Sequence, residues 1–146
     1  MPDQSNLDLR LFRVWMKASK AIMENIIKDV ESHNLSRENF MILELLYSKG
    51  PHPVQKISEI FSIPSGSITY VVDKLEKKSL VARQPNPNDR RASNVVLTEE
   101  GRTLFDEIFP KHVATISQNF SSITDDEKVQ LIELLKRVGM GAENLD

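Results

Sequence analysis

The spacing of apolar positions divides this chain into elements. From Leu7 to Val30 a helical pattern runs without proline or glycine. Its charged residues Arg10, Arg13, Lys17, Lys20, Glu24, Lys28 and Glu31 fall within one narrow wedge of the helical wheel. Leu11, Phe12, Val14, Trp15, Ala18, Ile22, Met23, Ile26, Ile27 and Val30 spread over most of the remainder. A helix resting on a single core needs an apolar stripe about 100° wide, and this one covers roughly twice that. The pattern predicts a helix packed on two surfaces, its own domain and a second subunit.

His33-Asn34-Leu35 breaks that helix, and Ser36 is placed to cap the next, whose apolar face is Phe40, Leu43, Leu46 and Tyr47. Gly50-Pro51 ends it. After Pro53 the run V-Q-K-I-S-E-I-F reads as a short helix with Val54, Ile57, Ile60 and Phe61 inward. A break at Ser62-Ile63-Pro64 leads into another helix, with Ser65 as the expected N-cap and Ile68, Val71, Val72 and Leu75 as the apolar stripe. At about 100° per residue, Ser67, Tyr70, Lys74 and Lys77 lie on the opposite face. The period then changes. Leu80 to Arg83 and Asn94 to Leu97 are short Val- and Leu-rich segments that read as strands. Between them Q-P-N-P-N-D-R-R-A-S reads as a turn-rich loop ending near Arg90 and Arg91.

Thr98 is the next expected N-cap, with Glu99 and Glu100 in the first turn where the helix dipole favours negative charge. Leu104, Phe105, Ile108, Phe109, Val113, Ile116 and Phe120 continue the pattern, with Pro110 expected to kink it. Thr124-Asp-Asp-Glu127 is a capping box opening a last helix, with Val129, Ile132, Leu135 and Val138 inward, that ends at Gly139. These terminal helices hold more apolar surface than one small domain needs, so they too read as dimer elements. The expected fold is mainly α with a small β-wing. A winged helix-turn-helix over 36–97 is flanked by dimerisation helices at 5–33 and 98–140, within a single domain spanning 1–146.

A helix with a hydrogen-bonding outer face, followed at once by a hairpin bearing arginines, has the layout of a winged helix. Such a helix can enter the major groove of DNA while the wing reaches phosphates or a neighbouring minor groove. Charge adds to this only through its distribution. The chain of 146 residues carries a net charge of −2, which by itself counts against nucleic acid. From Lys74 to Arg91, however, six basic residues stand against two acidic ones, a local charge of +4, and the rest of the chain is acidic.

Composition narrows the remaining possibilities. With no cysteine, disulfides, thiolate catalysis and thiol-based redox sensing are excluded. No apolar run approaches the roughly 20 residues of a membrane span. The N-terminus M-P-D-Q-S-N-L-D-L-R lacks a signal-peptide pattern, so a soluble cytoplasmic protein is expected. His33, His52 and His112 are far apart in sequence and lack metal-site spacing. Paired acids such as Asp125-Asp126 are explained by helix starts, and no phosphate loop or nucleophile elbow appears. An enzyme is not expected, nor is a cofactor or a resident metal.

The order of elements resembles the MarR family of bacterial transcriptional regulators, essentially end to end. The resemblance is most specific in S-G-S-I-T-Y-V-V-D-K-L-E-K-K-S-L-V (Ser65 to Val81) and D-R-R-A-S-N-V-V-L-T-E-E-G (Asp89 to Gly101). The segment from Asp89 resembles the family's wing signature, an Asp, any residue, an Arg, then L-T-x-x-G. Ser79 departs from the family pattern, standing where a glycine is common. The resemblance implies a homodimer binding a pseudo-palindromic operator in double-stranded DNA, acting as a repressor that a small ligand releases. It implies that Arg91 enters the minor groove, oriented by Asp89 through a charge-assisted bond, and that Arg90 contacts phosphate, although the two arginines could trade roles. Ser65, Ser67, Thr69 and Tyr70 match positions facing bases or flanking phosphates, and Lys74 faces the backbone. M-I-L-E-L-L-Y and the Ser65 segment are most similar to the branch responding to quinones and related phenolic compounds. Phe12, Trp15, Met16, Phe40 and Tyr47 are then either the lining of a ligand cleft or simply core. A winged helix used for protein–protein contact and a metal-responsive regulator are the competing functions.

Overall fold

The computed structural model describes residues 4–145, without the side chains of Gln4, Ser5 and Arg90. Met1 to Asp3, part of the segment read for a leader, and Asp146 lie outside the described residues. The elements are α1 (Gln4–Ser32), α2 (Arg37–Lys49), β1 (His52–Pro53), α3 (Val54–Phe61), α4 (Ser65–Lys77), β2 (Val81–Asn86), β3 (Asp89–Leu97), α5 (Glu99–Asn119) and α6 (Asp125–Glu143). The three strands form one antiparallel sheet in the order β1-β3-β2. The protein is thus mainly α with a small β-wing. Among the described residues no helix is long and apolar enough to cross a membrane.

The helix boundaries follow from local chemistry. The Ser36 hydroxyl accepts from the Asn39 amide, the Thr98 hydroxyl from the Gly101 amide, and the Thr124–Glu127 capping box closes in both directions. Two αL residues, Asn34 at φ 62° and Ser62 at φ 53°, end α1 and α3. Ser65, by contrast, is not the N-cap of α4. The Pro64 carbonyl accepts from the Ser67 and Ile68 amides, so the helix starts one residue earlier and Ser65 stands inside its first turn without a capping bond. Proline tolerates this because its fixed φ suits a helix entry.

The core lies where α2, α3, α4, the sheet and the first half of α5 converge. Leu43, Ile57, Val72, Leu75, Val95 and Phe105 are fully inaccessible there. Three expectations about the strands and faces need correction. The segment read as a loop is mostly ladder, since β2 and β3 run to Asn86 and from Asp89, leaving only Pro87-Asn88 at the tip. Cross-strand bonds outweigh the turn propensity of its prolines, and a bulge at Pro85/Asn86 absorbs the misfit. β1, which the sequence did not suggest, pairs His52 with Val95 and Pro53 with Asn94. Ile60, expected inward, is 45 % exposed because α3 is too short to wrap past Ile57.

The last correction concerns α6. Val129, Ile132, Leu135 and Val138, read as inward, are 45–60 % exposed, and α6 buries no residue against its own chain. The N-terminal half of α1 is equally bare, with Leu11, Phe12, Val14 and Trp15 all exposed. The C-terminal half of α1 packs against α5 and α2 through Ile26 and Val30. Helix α5 runs through Pro110 without interruption.

One junction ties the halves together. After α4, Ser79 adopts φ 64°, and the chain turns so that the Thr98 amide donates to the Leu80 carbonyl at 3.1 Å and the Thr98 hydroxyl to the Ser79 carbonyl at 2.6 Å. A Cβ on Gly101 would lie 2.2 Å from the Leu80 oxygen and 2.8 Å from Leu97 Cδ1. Only glycine fits there. At fixed protein concentration, urea unfolding of Gly101→Ala should show a loss of about 3 kcal/mol or more. Ser79→Gly should gain about 1 kcal/mol by relieving the left-handed conformation.

Candidate nucleic-acid interface

Helix α4 exposes Ser65, Ser67, Thr69, Tyr70 and Lys74, with Ser67, Tyr70 and Lys74 on the side away from the buried Ile68, Val72 and Leu75. Tyr70 is the largest of these at 61 % exposed, and the Lys74 ammonium sits 4.5 Å from its ring centroid. That contact orders two otherwise mobile side chains. The hydrogen bond and charge of Lys74 also hold the Tyr70 phenol below its ordinary pKa. A groove of about 870 Å³ runs beside this face, with Ser36 and Asn39 from the start of α2 on one wall and Ser67, Tyr70, Lys74 and Lys77 on the other. Backbone amides at a helix start and lysines at the opposite edge suit a polyanionic strand.

The wing extends from the end of α4. At its tip the Asn88 amide donates to the Asn86 side chain at 2.9 Å, and the Arg91 amide donates to Asp89 Oδ1 at 2.9 Å. Asp89 therefore reaches Arg91 through the backbone. Among the described residues no ion pair joins the Asp89 carboxylate to the Arg91 guanidinium, which corrects the expected charge-assisted bond: a carboxylate two residues away closes a turn on the amide more easily than on a long side chain. Arg91 is exposed. The Arg90 side chain lies outside the described residues.

The basic patch is also smaller than the sequence count implies. Arg83 turns back onto α4, its Nη2 2.7 Å from Asp73 and its Nη1 2.6 Å from Glu76. Sequence inspection missed this pairing because ten residues and a change of element separate Asp73 from Arg83. Among the described side chains, the exposed positive charge of the patch rests on Lys74, Lys77, Lys78 and Arg91.

The five aromatic and Met positions considered for a ligand cleft do not converge. Phe40 is buried, its ring centroid 5.2 Å from that of Phe105 and 4.5 Å from that of His112. Tyr47 stacks on Phe105 and Phe109 and donates its hydroxyl to Asp106 at 2.7 Å, a bond that raises its pKa. Phe12, Trp15 and Met16 stand on the bare half of α1.

Two histidines with no relation in sequence meet at one carboxylate. Asp29, at the end of α1, lies 3.5 Å from His33 Nε2 and 3.4 Å from His112 Nδ1, and accepts from the Thr115 hydroxyl at 3.2 Å. The four-residue spacing of Asp29 and His33 on a helix was the available signal. His112 comes from α5, which no local pattern could bring in. No set of three or more metal-ligating side chains is arranged to hold an ion among the described residues.

A MarR family model matches residues 35–93. The HTH-type transcriptional regulator MhqR of Bacillus subtilis (strain 168) is 43 % identical over 92 % of this chain and 93 % of its own. The chain belongs to the MarR family. YkoM, an HTH-type transcriptional regulator of the same organism, is 38 % identical over 94 % of this chain and 89 % of its own. Among solved structures, the MarR family regulator Sco3205 of Streptomyces coelicolor, in complex with DNA, shares the fold. Its TM-score is 0.81 at 20 % identity, covering 97 % of this chain and 91 % of that one. This MarR-family chain is a DNA-binding transcriptional regulator, and the family is not one of enzymes.

The Asp29 cluster fastens α1 to α5, and removing its acceptor leaves His112 and Thr115 without their partner. Urea unfolding of Asp29→Ala should show a loss of about 1–3 kcal/mol.

Proposed function

We propose that the protein is a homodimeric repressor acting in the cytoplasm, with α4 reading the major groove and the β2–β3 wing reaching the adjacent minor groove. The observation that carries this reading is the exposed side of α4, flanked by a hairpin that holds Arg91 free near its tip. Ser65, Ser67, Thr69 and Tyr70 face bases or flanking phosphates, and Lys74 faces the backbone. Arg91 enters the minor groove, Arg90 contacts phosphate, and Asp89 sets the turn that aims the pair.

The bare apolar faces of α1 and α6 support dimerisation, because exposed patches of this extent are rare on a monomer. In this division residues 5–33 and 98–140 form the dimer and 36–97 the DNA-binding lobe. Two symmetry-related recognition helices then read half-sites about 10 bp apart, or a multiple of it, in a pseudo-palindromic operator. A dimer spanning two half-sites blocks access to the promoter. A small phenolic ligand entering between α1, α2 and α5 releases it. The aromatic groups gathered there (Phe40, Tyr47, Phe105 and Phe109) support that effector class.

Fluorescence anisotropy against duplex DNA from upstream of the chain's own gene, with a scrambled duplex as control, tests the reading. Binding should be sequence-selective and fall with salt as several phosphate contacts require. Arg91→Ala should weaken it by on the order of tenfold, and Arg90→Ala should act alike on both duplexes. Failure to bind that DNA and genomic fragments alike would make the winged helix a protein-binding module. Sedimentation velocity at micromolar concentration should show a dimer, and Leu135→Lys should shift it to monomer. A monomeric wild type would end the dimer reading.

A further inference from the structure

We infer that Arg83 is a positioning residue that couples the wing to the recognition helix, and that it does not contact DNA. It sits on β2 opposite Val95, whose side chain is fully buried, so Arg83 leaves the sheet on the face turned toward the helices. Its two terminal nitrogens engage two carboxylates, Asp73 at 2.7 Å and Glu76 at 2.6 Å, which stand three residues apart on one side of α4. Its side chain is only 28 % exposed. Among the described residues these are the only side-chain hydrogen bonds or ion pairs between the hairpin and α4.

The position of this clamp along the hairpin gives it its role. Beyond Arg83, Pro85 and Pro87 donate no backbone hydrogen bond, and the ladder is interrupted between Pro85 and Asn86. The outer hairpin is thus the weakly bonded part, and it carries Arg91. From Arg83 to the tip at Asn86 the strand spans roughly 10 Å, so a tilt of about 10° at the clamp would move the tip by about 2 Å. Contacts with DNA depend on hydrogen-bond geometry that does not survive such a displacement. Arg83 also screens Asp73 and Glu76, which would otherwise face the approaching phosphates from beside the basic side of α4. A guanidinium suits this task because its planar fork reaches two acceptors at once, which an ammonium on a flexible stem does not do in fixed geometry.

This inference rests on the reading that Arg91 contacts DNA, and the test separates the two. The probe is a duplex selected by the wild-type protein from a random-sequence pool, followed by anisotropy across a salt series. Arg83→Gln and Arg83→Lys should both weaken binding by on the order of tenfold. In both, the slope of log affinity against log salt should change by the same amount, because both release the same wing, the phosphate contact of Arg90 included. Arg91→Ala, costly in the wild type, should cost no more than about threefold in either background, since a wing already released has little left to lose. A direct phosphate contact by Arg83 predicts a split instead: a slope smaller by about 0.9 in Arg83→Gln, with near-normal binding and slope in Arg83→Lys. That split overturns the inference, as does an undiminished Arg91→Ala penalty. Arg83→Lys keeps the charge and the alkyl stem, so it carries the comparison if Arg83→Gln fails to fold. If Arg91→Ala costs nothing in the wild type, the wing reading fails, and the clamp is judged on Arg83→Lys and the salt slope alone.

Discussion

The close approach of Gly101 to the Leu80 carbonyl is the constraint on which the rest of the molecule depends. At that point the end of α4, the base of the wing and the start of α5 pass within van der Waals distance of one another. Thr98 holds all three, donating its amide to Leu80, its hydroxyl hydrogen to Ser79, and lending its oxygen to cap the Gly101 amide. A hydroxyl that donates and accepts at once, beside a residue with no side chain, is the smallest device that can make this joint. The L-T-x-x-G signature is therefore structural before it is functional, because it sets the angle at which α5 leaves the sheet and α4.

A second joint works through polar contacts to one carboxylate. Asp29 bonds His112 and Thr115, with His33 Nε2 3.5 Å away, and fastens the end of α1 to α5. Beside it the rings of Phe40, Tyr47, Phe105 and Phe109 fill the space between α2 and α5. The lobe is thus gripped at two places by the helices assigned to dimerisation. Any ligand that parts the aromatic cluster acts on the lever between them, which is the physical basis for proposing release at this site.

The electrostatics of the α4 face proposed to bind DNA are local. Arg83 spends its charge within the protein on Asp73 and Glu76, and the lysines of α4 together with Arg91 are left for a partner. An acidic chain can bind DNA because screening confines each interaction to about 10 Å, so the distribution of charge outweighs its total.

Much of this was legible in the chain itself. Helix periods, the caps at Ser36, Thr98 and Thr124, and the apolar excess of the terminal helices depend on residues close in sequence, where 3.6-residue spacing and a single hydroxyl suffice. The polar side of α4 was equally plain, since one helix face needs no partner to define it. What stayed hidden involves distant segments. The length of β2 and β3 was set by cross-strand bonds against local turn propensity, and β1 exists only because β3 lies beside it. The αL geometry of Ser79, the meeting of His33 with His112, and the capture of Arg83 by Asp73 and Glu76 follow from chain paths that no local pattern encodes. By itself the sequence determined which helices form and which face of α4 is polar. Tertiary structure decided which charges are left free, because a charge is consumed only when folding brings its partner within hydrogen-bond reach.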